Sequence, residues 1–203
     1  MTSARVVPSD SMTDGRPSFP PLPHDQAVER ATDAGIPTVL AGPNVFRVLL
    51  HHPPVAEVFA QLVQAVVLEG TLDPRLREMA IMRTAWLRGS TYEWAAHYGI
   101  SLRSGMTEDQ IVAIRSGLSA PSFNSIERAV LTLVDEMVTA GRASAATLRA
   151  AREAAASDAA YLELLAIPGC YAALASLLDA LQVPLDDSTT PWPPDGKGPT
   201  PST

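Results

Sequence analysis

From His24 onward, apolar residues recur at intervals of three and four, and glycine, proline and small polar residues interrupt that rhythm every few turns. This is the period of amphipathic helices, and strand-like alternation is nearly absent, so the pattern predicts an all-α fold. "HDQAVERATDAG" reads as a short first helix and "NVFRVLLHH" as a second, stopped by Pro53 and Pro54. "PVAEVFAQLVQAVVLEG" is apolar on most sides and ends at Gly70, which predicts a helix covered on more than one face.

"DPRLREMAIMRTAWLRG" follows, with Asp73 as N-cap, Pro74 in the first helical position and Gly89 as the closing residue. The next helix runs from Ser90 to about Ser104, and its Ser90-x-x-Glu93 start is a capping-box pattern. Thr107 and Gln110 repeat that pattern in "TEDQIVAIRSG", closed by Gly117. In "NSIERAVLTLVDEMVTAG" a stripe of Ile126, Val130, Leu133, Val134 and Met137 marks an amphipathic helix. A helix near "AATLRAAREAAA" precedes the long apolar "DAAYLELLAIPGCYAALASLLDALQV", which Pro168 and Gly169 are expected to kink or split.

The flanks break the rhythm. Residues 1–23 and 184–203 are rich in proline and polar residues and bury little, so they read as extended or disordered arms around a helical domain at 24–183. The second arm contains Trp192, an anchor suited to a neighbouring subunit. With 22 acidic and 15 basic residues the net charge is -7, and the basic residues are scattered. Nucleic acid and anionic membrane are therefore not expected as partners; small molecules are. Neither a secretory leader nor a run approaching membrane-span length is read, which makes the cytoplasm the expected location.

Cys170 is the only cysteine, so the chain is expected to have no internal disulfide or dithiol cycle, and it reads as a small buried residue of a helix. His51 and His52 point to different sides of a helix and lack a matching carboxylate, so a helix end, not a metal, is expected there. Asp135 and Glu136, late in a helix, are expected to answer a basic residue elsewhere.

Chemistry concentrates in "RGSTYEWAAHYGIS". Ser90, Glu93 and His97 fall near one helical face, and Glu78 precedes His97 by nineteen positions on the preceding helix. Two helices joined by a tight Gly-Ser turn pack antiparallel, which lets Glu78 and His97 meet. Each residue has a plainer role as well. Ser90 and Glu93 suffice as caps, His97 as a core histidine, Glu78 as a partner of Arg75 or Arg83, and Tyr92, Trp86 and Trp94 as core aromatics.

The run Arg77-Glu78, eleven residues, then "GSTYEWAAH" resembles the carboxymuconolactone decarboxylase and alkylhydroperoxidase D superfamily. "NVFRVLLHHP", "SLRSGMTEDQIVAI" and "SIERAVLTLVDEM" extend the likeness over roughly residues 40–183. The resemblance implies an all-α bundle of that type and a homo-oligomer, a trimer or hexamer. Members that reduce peroxides carry C-x-x-C followed by histidine. Here Ser90 and Glu93 occupy the cysteine positions, while Glu78 and His97 match the proton relay, so thiol peroxidase activity is not expected.

The decarboxylase branch uses no cofactor. The resemblance thus implies a cofactor-independent lyase acting on a small cyclic or oxo carboxylic acid, with His97 as proton donor held by Glu78 or Glu93. Ser90, Tyr92, Trp94 and Arg83 are the expected substrate contacts, with Arg83 or Arg88 as the cation for the carboxylate. An isomerase or cyclase of a secondary-metabolite intermediate, and a non-catalytic ligand- or partner-binding protein, are the alternatives.

Overall fold

A computed structural model describes residues 19–187 and 189–200. Most of the N-terminal arm lies outside these residues. Among the described residues there are nine α-helices and no strands. α1 (His24–Asp33), α2 (Asn44–Leu49) and α3 (Pro53–Val63) form a first layer, and α3 continues into a π-helical turn at Gln64–Leu68. α4 (Pro74–Arg88) and α5 (Thr91–Arg103) form a hairpin, followed by α6 (Glu108–Ser116), α7 (Ser125–Ala140), α8 (Ala145–Ala154) and α9 (Asp158–Leu181).

The helix ends follow local chemistry. Asp73 caps α4 by accepting from the Arg75 and Leu76 amides, and Gly89 closes it in the left-handed region at φ 63°, where a Cβ would be strained. Thr107 with Gln110, and Asn124 with Glu127, complete reciprocal capping boxes at α6 and α7. The expected box at α5 is only half formed. Ser90 Oγ accepts from the Glu93 amide at 3.4 Å, but the Ser90 amide bonds to the Ala85 carbonyl at the turn. The Glu93 carboxyl is thereby left for other work.

α4 is the axis of the domain. It packs against α5, α6, α7 and α9, and Met79, Ala80, Ile81 and Met82 are completely buried. Burial of the methionine and isoleucine side chains supplies about 1.5–3 kcal/mol each, so the helix that carries Glu78 is firmly packed. A second apolar cluster joins α1, α2 and α3 to Leu174 and Leu178 at the end of α9.

Five expectations need correction. α3 is covered on one face only: Ala56 and Ala60 are buried, whereas Val58 and Leu68 are 65% and 51% exposed. α9 is a single helix of 24 residues with Pro168 inside it; packing along α4 and α7 holds it through the missing hydrogen bond. That helix is also, by length and composition, apolar enough to cross a membrane, contrary to the absence of such a run, but Leu164, Ile167 and Leu174 are buried inside the domain. Ile126 lies outside the buried stripe of α7, at 47% exposure.

The fifth correction bears on the site. The C-terminal arm is laid back on its own domain: Trp192 packs against Trp86 and Trp94 at ring separations of 5.6 and 6.1 Å. The Trp94 indole donates to the Pro193 carbonyl at 2.8 Å, and Arg115 donates to both Asp195 oxygens at 2.8 and 3.0 Å. Asp186 accepts from the Asn44 amide at 2.7 Å and the Tyr92 hydroxyl at 3.0 Å.

Candidate active site

The α4–α5 hairpin brings Glu78 and His97 together. Glu78 is fully buried, and its Oε2 accepts from His97 Nδ1 at 2.8 Å. An ionised carboxylate can only accept, so Nδ1 carries the proton and Nε2 is the nitrogen turned elsewhere. Nε2 lies 3.7 Å from Glu93 Oε2, one helical turn back on α5. The ion-pair partner of Glu78 is Arg77, whose Nε donates at 2.9 Å, in place of the expected Arg75 or Arg83. A second Arg77 nitrogen donates to the Val67 carbonyl at 3.2 Å in the π-helical turn.

Electrostatics separates the two carboxylates. Burial pushes Glu78 up, but the His97 charge and hydrogen bond and those of Arg77 outweigh it and hold the carboxyl below its usual range. Burial lowers His97, yet the neighbouring Glu78 and Glu93 carboxylates raise it above the ordinary imidazole value. Glu93 has no such partner of its own. Burial dominates over the attraction of His97, and its pKa is pushed up to about 7. The trio therefore favours an ionised Glu78 and the protonated form of His97, beside a Glu93 poised to gain or lose a proton near neutrality.

Glu93 and His97 face a cavity of about 680 Å³ at the seam of the two apolar clusters. Val45, Phe46, Ile100 and Leu174 give it an apolar wall, Tyr171 flanks His97, and Asp186, Thr189 and Pro193 close one side from the arm. Arg103 stands at its exposed rim and has no hydrogen-bond or ion-pair partner among the described residues.

The remaining expected contacts divide. Tyr92 lines the cavity, but its hydroxyl donates to Asp186 and accepts from the Val45 amide, both at 3.0 Å. Ser90 borders a separate cavity of about 340 Å³. Trp94 is completely buried in the tryptophan stack, away from the cavity. Arg88 donates to Ser176 on the exposed surface.

Arg83 is drawn to the far side of α4. It pairs with Asp135 at 2.6 and 3.2 Å and donates to the Ile114 and Arg115 carbonyls at 2.9 and 2.8 Å, at the negative end of α6. Gly117 beside it has φ +54°, where a side chain is strained, and a Cβ there would meet the guanidinium at 2.6 Å and push it aside. Asp135 thus answers a basic residue on another helix, and Glu136 accepts from the Ser144 amide and Thr147 hydroxyl at 2.6 and 2.7 Å. Asp135→Ala is expected to cost about 2 kcal/mol in urea denaturation while leaving the cavity's ligand binding unchanged.

Four site residues, Arg77, Arg103, Tyr171 and Asp186, escape a reading of the sequence. Tyr171 and Asp186 come from segments with no motif, and Arg77 looks like one more helical arginine. Only the adjacency of Arg77 to Glu78 was a signal. Cys170 is only half-buried, in place of the buried position expected for it, and no group of three or more His, Cys, Asp or Glu able to hold a metal occurs among the described residues.

Residues 53–136 match the Carboxymuconolactone decarboxylase family model. No curated protein matches the chain significantly. Among solved structures, an alkylhydroperoxidase AhpD core, an uncharacterized peroxidase-related protein from Ralstonia eutropha JMP134, is 22% identical with a TM-score of 0.64, covering 82% of this chain and 87% of that one. A variant of the debrominase Bmp8 in complex with 2,3,4-tribromopyrrole is 17% identical with a TM-score of 0.66, covering 88% and 95%. An uncharacterized peroxidase-related protein from Silicibacter sp. TM1040 is 14% identical with a TM-score of 0.66, covering 85% and 94%. The match to the carboxymuconolactone decarboxylase family model spans the segment that carries Glu78, Glu93 and His97, and the chain shares its all-α fold with the alkylhydroperoxidase AhpD core and the peroxidase-related structures.

Proposed function

We propose that the protein is a cofactor-independent lyase that decarboxylates a small cyclic or oxo carboxylic acid by proton transfer through Glu93, His97 and Glu78. The observation that carries the reading is the buried trio itself: one imidazole between a carboxylate held ionised and a carboxyl tuned to about 7. Pairs of acids driven apart by their surroundings mark acid–base sites. The fold also serves a debrominase, so the residues, not the fold, must choose the reaction.

In the proposed step the C–COO⁻ bond breaks, carbon dioxide leaves, and the electron pair passes into an adjacent carbonyl as an enolate. His97 Nε2–H then delivers its proton to the carbon, and Glu93 returns one to the imidazole from the cavity side. Glu78 keeps Nδ1 protonated and orients the ring. The apolar wall favours a step in which the substrate's charge is lost to carbon dioxide. Ser90 and Glu93 stand where a peroxidase pair would need sulfur, which supports acid–base over thiol chemistry.

The cation expected for the substrate carboxylate is assigned to Arg103, in place of Arg83 and Arg88, because it stands at the cavity rim without a partner. Arg103→Gln is expected to raise KM about tenfold with kcat nearly unchanged, as for a contact made equally in ground and transition states. The homo-oligomer proposed for this chain finds support in the exposed apolar face of α3.

The reaction is tested by incubating purified protein in deuterated water with a panel of oxo acids and lactone acids. Release of carbon dioxide with one deuterium placed on the carbon that carried the carboxylate is the expected result. Deuterium exchange without carbon dioxide would instead make the protein an isomerase, and neither signal across the panel would leave ligand binding as its role.

A further inference from the structure

The proposed reaction needs a hydrogen-bond donor for the enolate oxygen, and the cavity holds few candidates. The Tyr92 hydroxyl donates to Asp186, the Tyr98 hydroxyl to Glu108 at 2.8 Å, and the Thr189 hydroxyl to the Asp186 carbonyl at 2.8 Å. Thr190 sits exposed at the rim. Tyr171 remains. It is 3% exposed, lines the cavity, and its hydroxyl has no hydrogen-bond partner among the described residues.

The hydroxyl is not sealed in the core but opens to the cavity, so its donor is available to a ligand oxygen there. The Tyr171 ring stands edge-on to His97, with centroids 5.4 Å apart and an interplanar angle of 80°. The hydroxyl and the imidazole are thus carried by neighbouring rings on facing helices. We infer that Tyr171 is a catalytic residue of this site, donating its hydroxyl hydrogen bond to the substrate's carbonyl oxygen as negative charge develops there while His97 protonates the adjacent carbon. Burial and the nearby Glu93 and Glu78 carboxylates hold the phenol well above its ordinary value, so it stays protonated and able to donate. A preorganised donor of this kind acts where charge appears and needs no rearrangement.

This inference rests on the cavity being the reaction site, and a phenolate tests both separately. 4-Nitrophenolate mimics a ring enolate, and nitrobenzene has nearly the same shape without the oxyanion. Affinities of both for the wild type, Tyr171→Phe and His97→Gln are measured by titration calorimetry. The expected result is a loss of roughly ten- to a hundredfold in phenolate affinity on Tyr171→Phe, with nitrobenzene affinity and melting temperature unchanged. Equal phenolate affinity in wild type and Tyr171→Phe, with a loss in His97→Gln, would overturn the role of Tyr171 and leave the site standing. Phenolate binding insensitive to His97→Gln would overturn the site and the inference together.

Discussion

His97→Gln is expected to lower kcat on any acid the wild type turns over by roughly 10²- to 10⁴-fold, the range for loss of a positioned general acid. Glutamine can still donate to Glu78, and Arg77 continues to hold that carboxylate at 2.9 Å, so the fold survives and the loss falls on chemistry. KM is expected to change little, since substrate charge is met at Arg103. Unchanged circular dichroism beside a collapsed kcat is the signature. An unaltered kcat would remove His97 from the reaction.

Glu93→Gln has two large expected effects of different kinds. In the folded chain Glu93 holds its proton up to about 7, against an ordinary value of 4.5. Below 4.5 both folded and unfolded chains are protonated there and the side chain costs nothing. As pH rises from 4.5 to 7 the unfolded chain releases a proton that the folded chain keeps, so stability falls; above 7 the penalty is complete. Its size is on the order of 3 kcal/mol, and glutamine escapes it. The variant is therefore expected to match the wild type near pH 4.5 and to exceed it by about that amount at pH 8 in urea denaturation. In the pH dependence of kcat/KM the wild type is expected to lose activity as pH rises through about 7, where Glu93 gives up its proton. The variant is expected to have low activity and no break at that pH.

The helices were legible because their ends carry local chemistry: Asp73, Thr107, Asn124 and the glycines at 89, 117 and 141 act within one turn of chain. The meeting of Glu78 with His97 was legible for the same reason, since a short hairpin turns spacing along the chain into contact. What lay across longer distances was not. Arg83 has the same composition-level credentials as Arg103, and only the α4–α7 packing, which places Asp135 beside it, shows that it serves structure. Glu93 illustrates a subtler limit. Its amide took the expected bond to Ser90, but the turn satisfied the Ser90 amide with the Ala85 carbonyl, which freed the carboxyl for the site. Asp186 and Tyr171 reach the cavity from the far end of the chain, with no pattern that marks them.

The tail that carries Asp186 also carries one of only three tryptophans in the chain, and Trp86, Trp94 and Trp192 all meet in a single stack, with Arg115 lying 5.2 Å over Trp86 and 5.0 Å over Trp94. The tryptophan emission of this protein therefore originates at one spot, beside the arm segment that walls the cavity. The molecule carries a built-in optical gauge of whether that wall is seated, readable without a label.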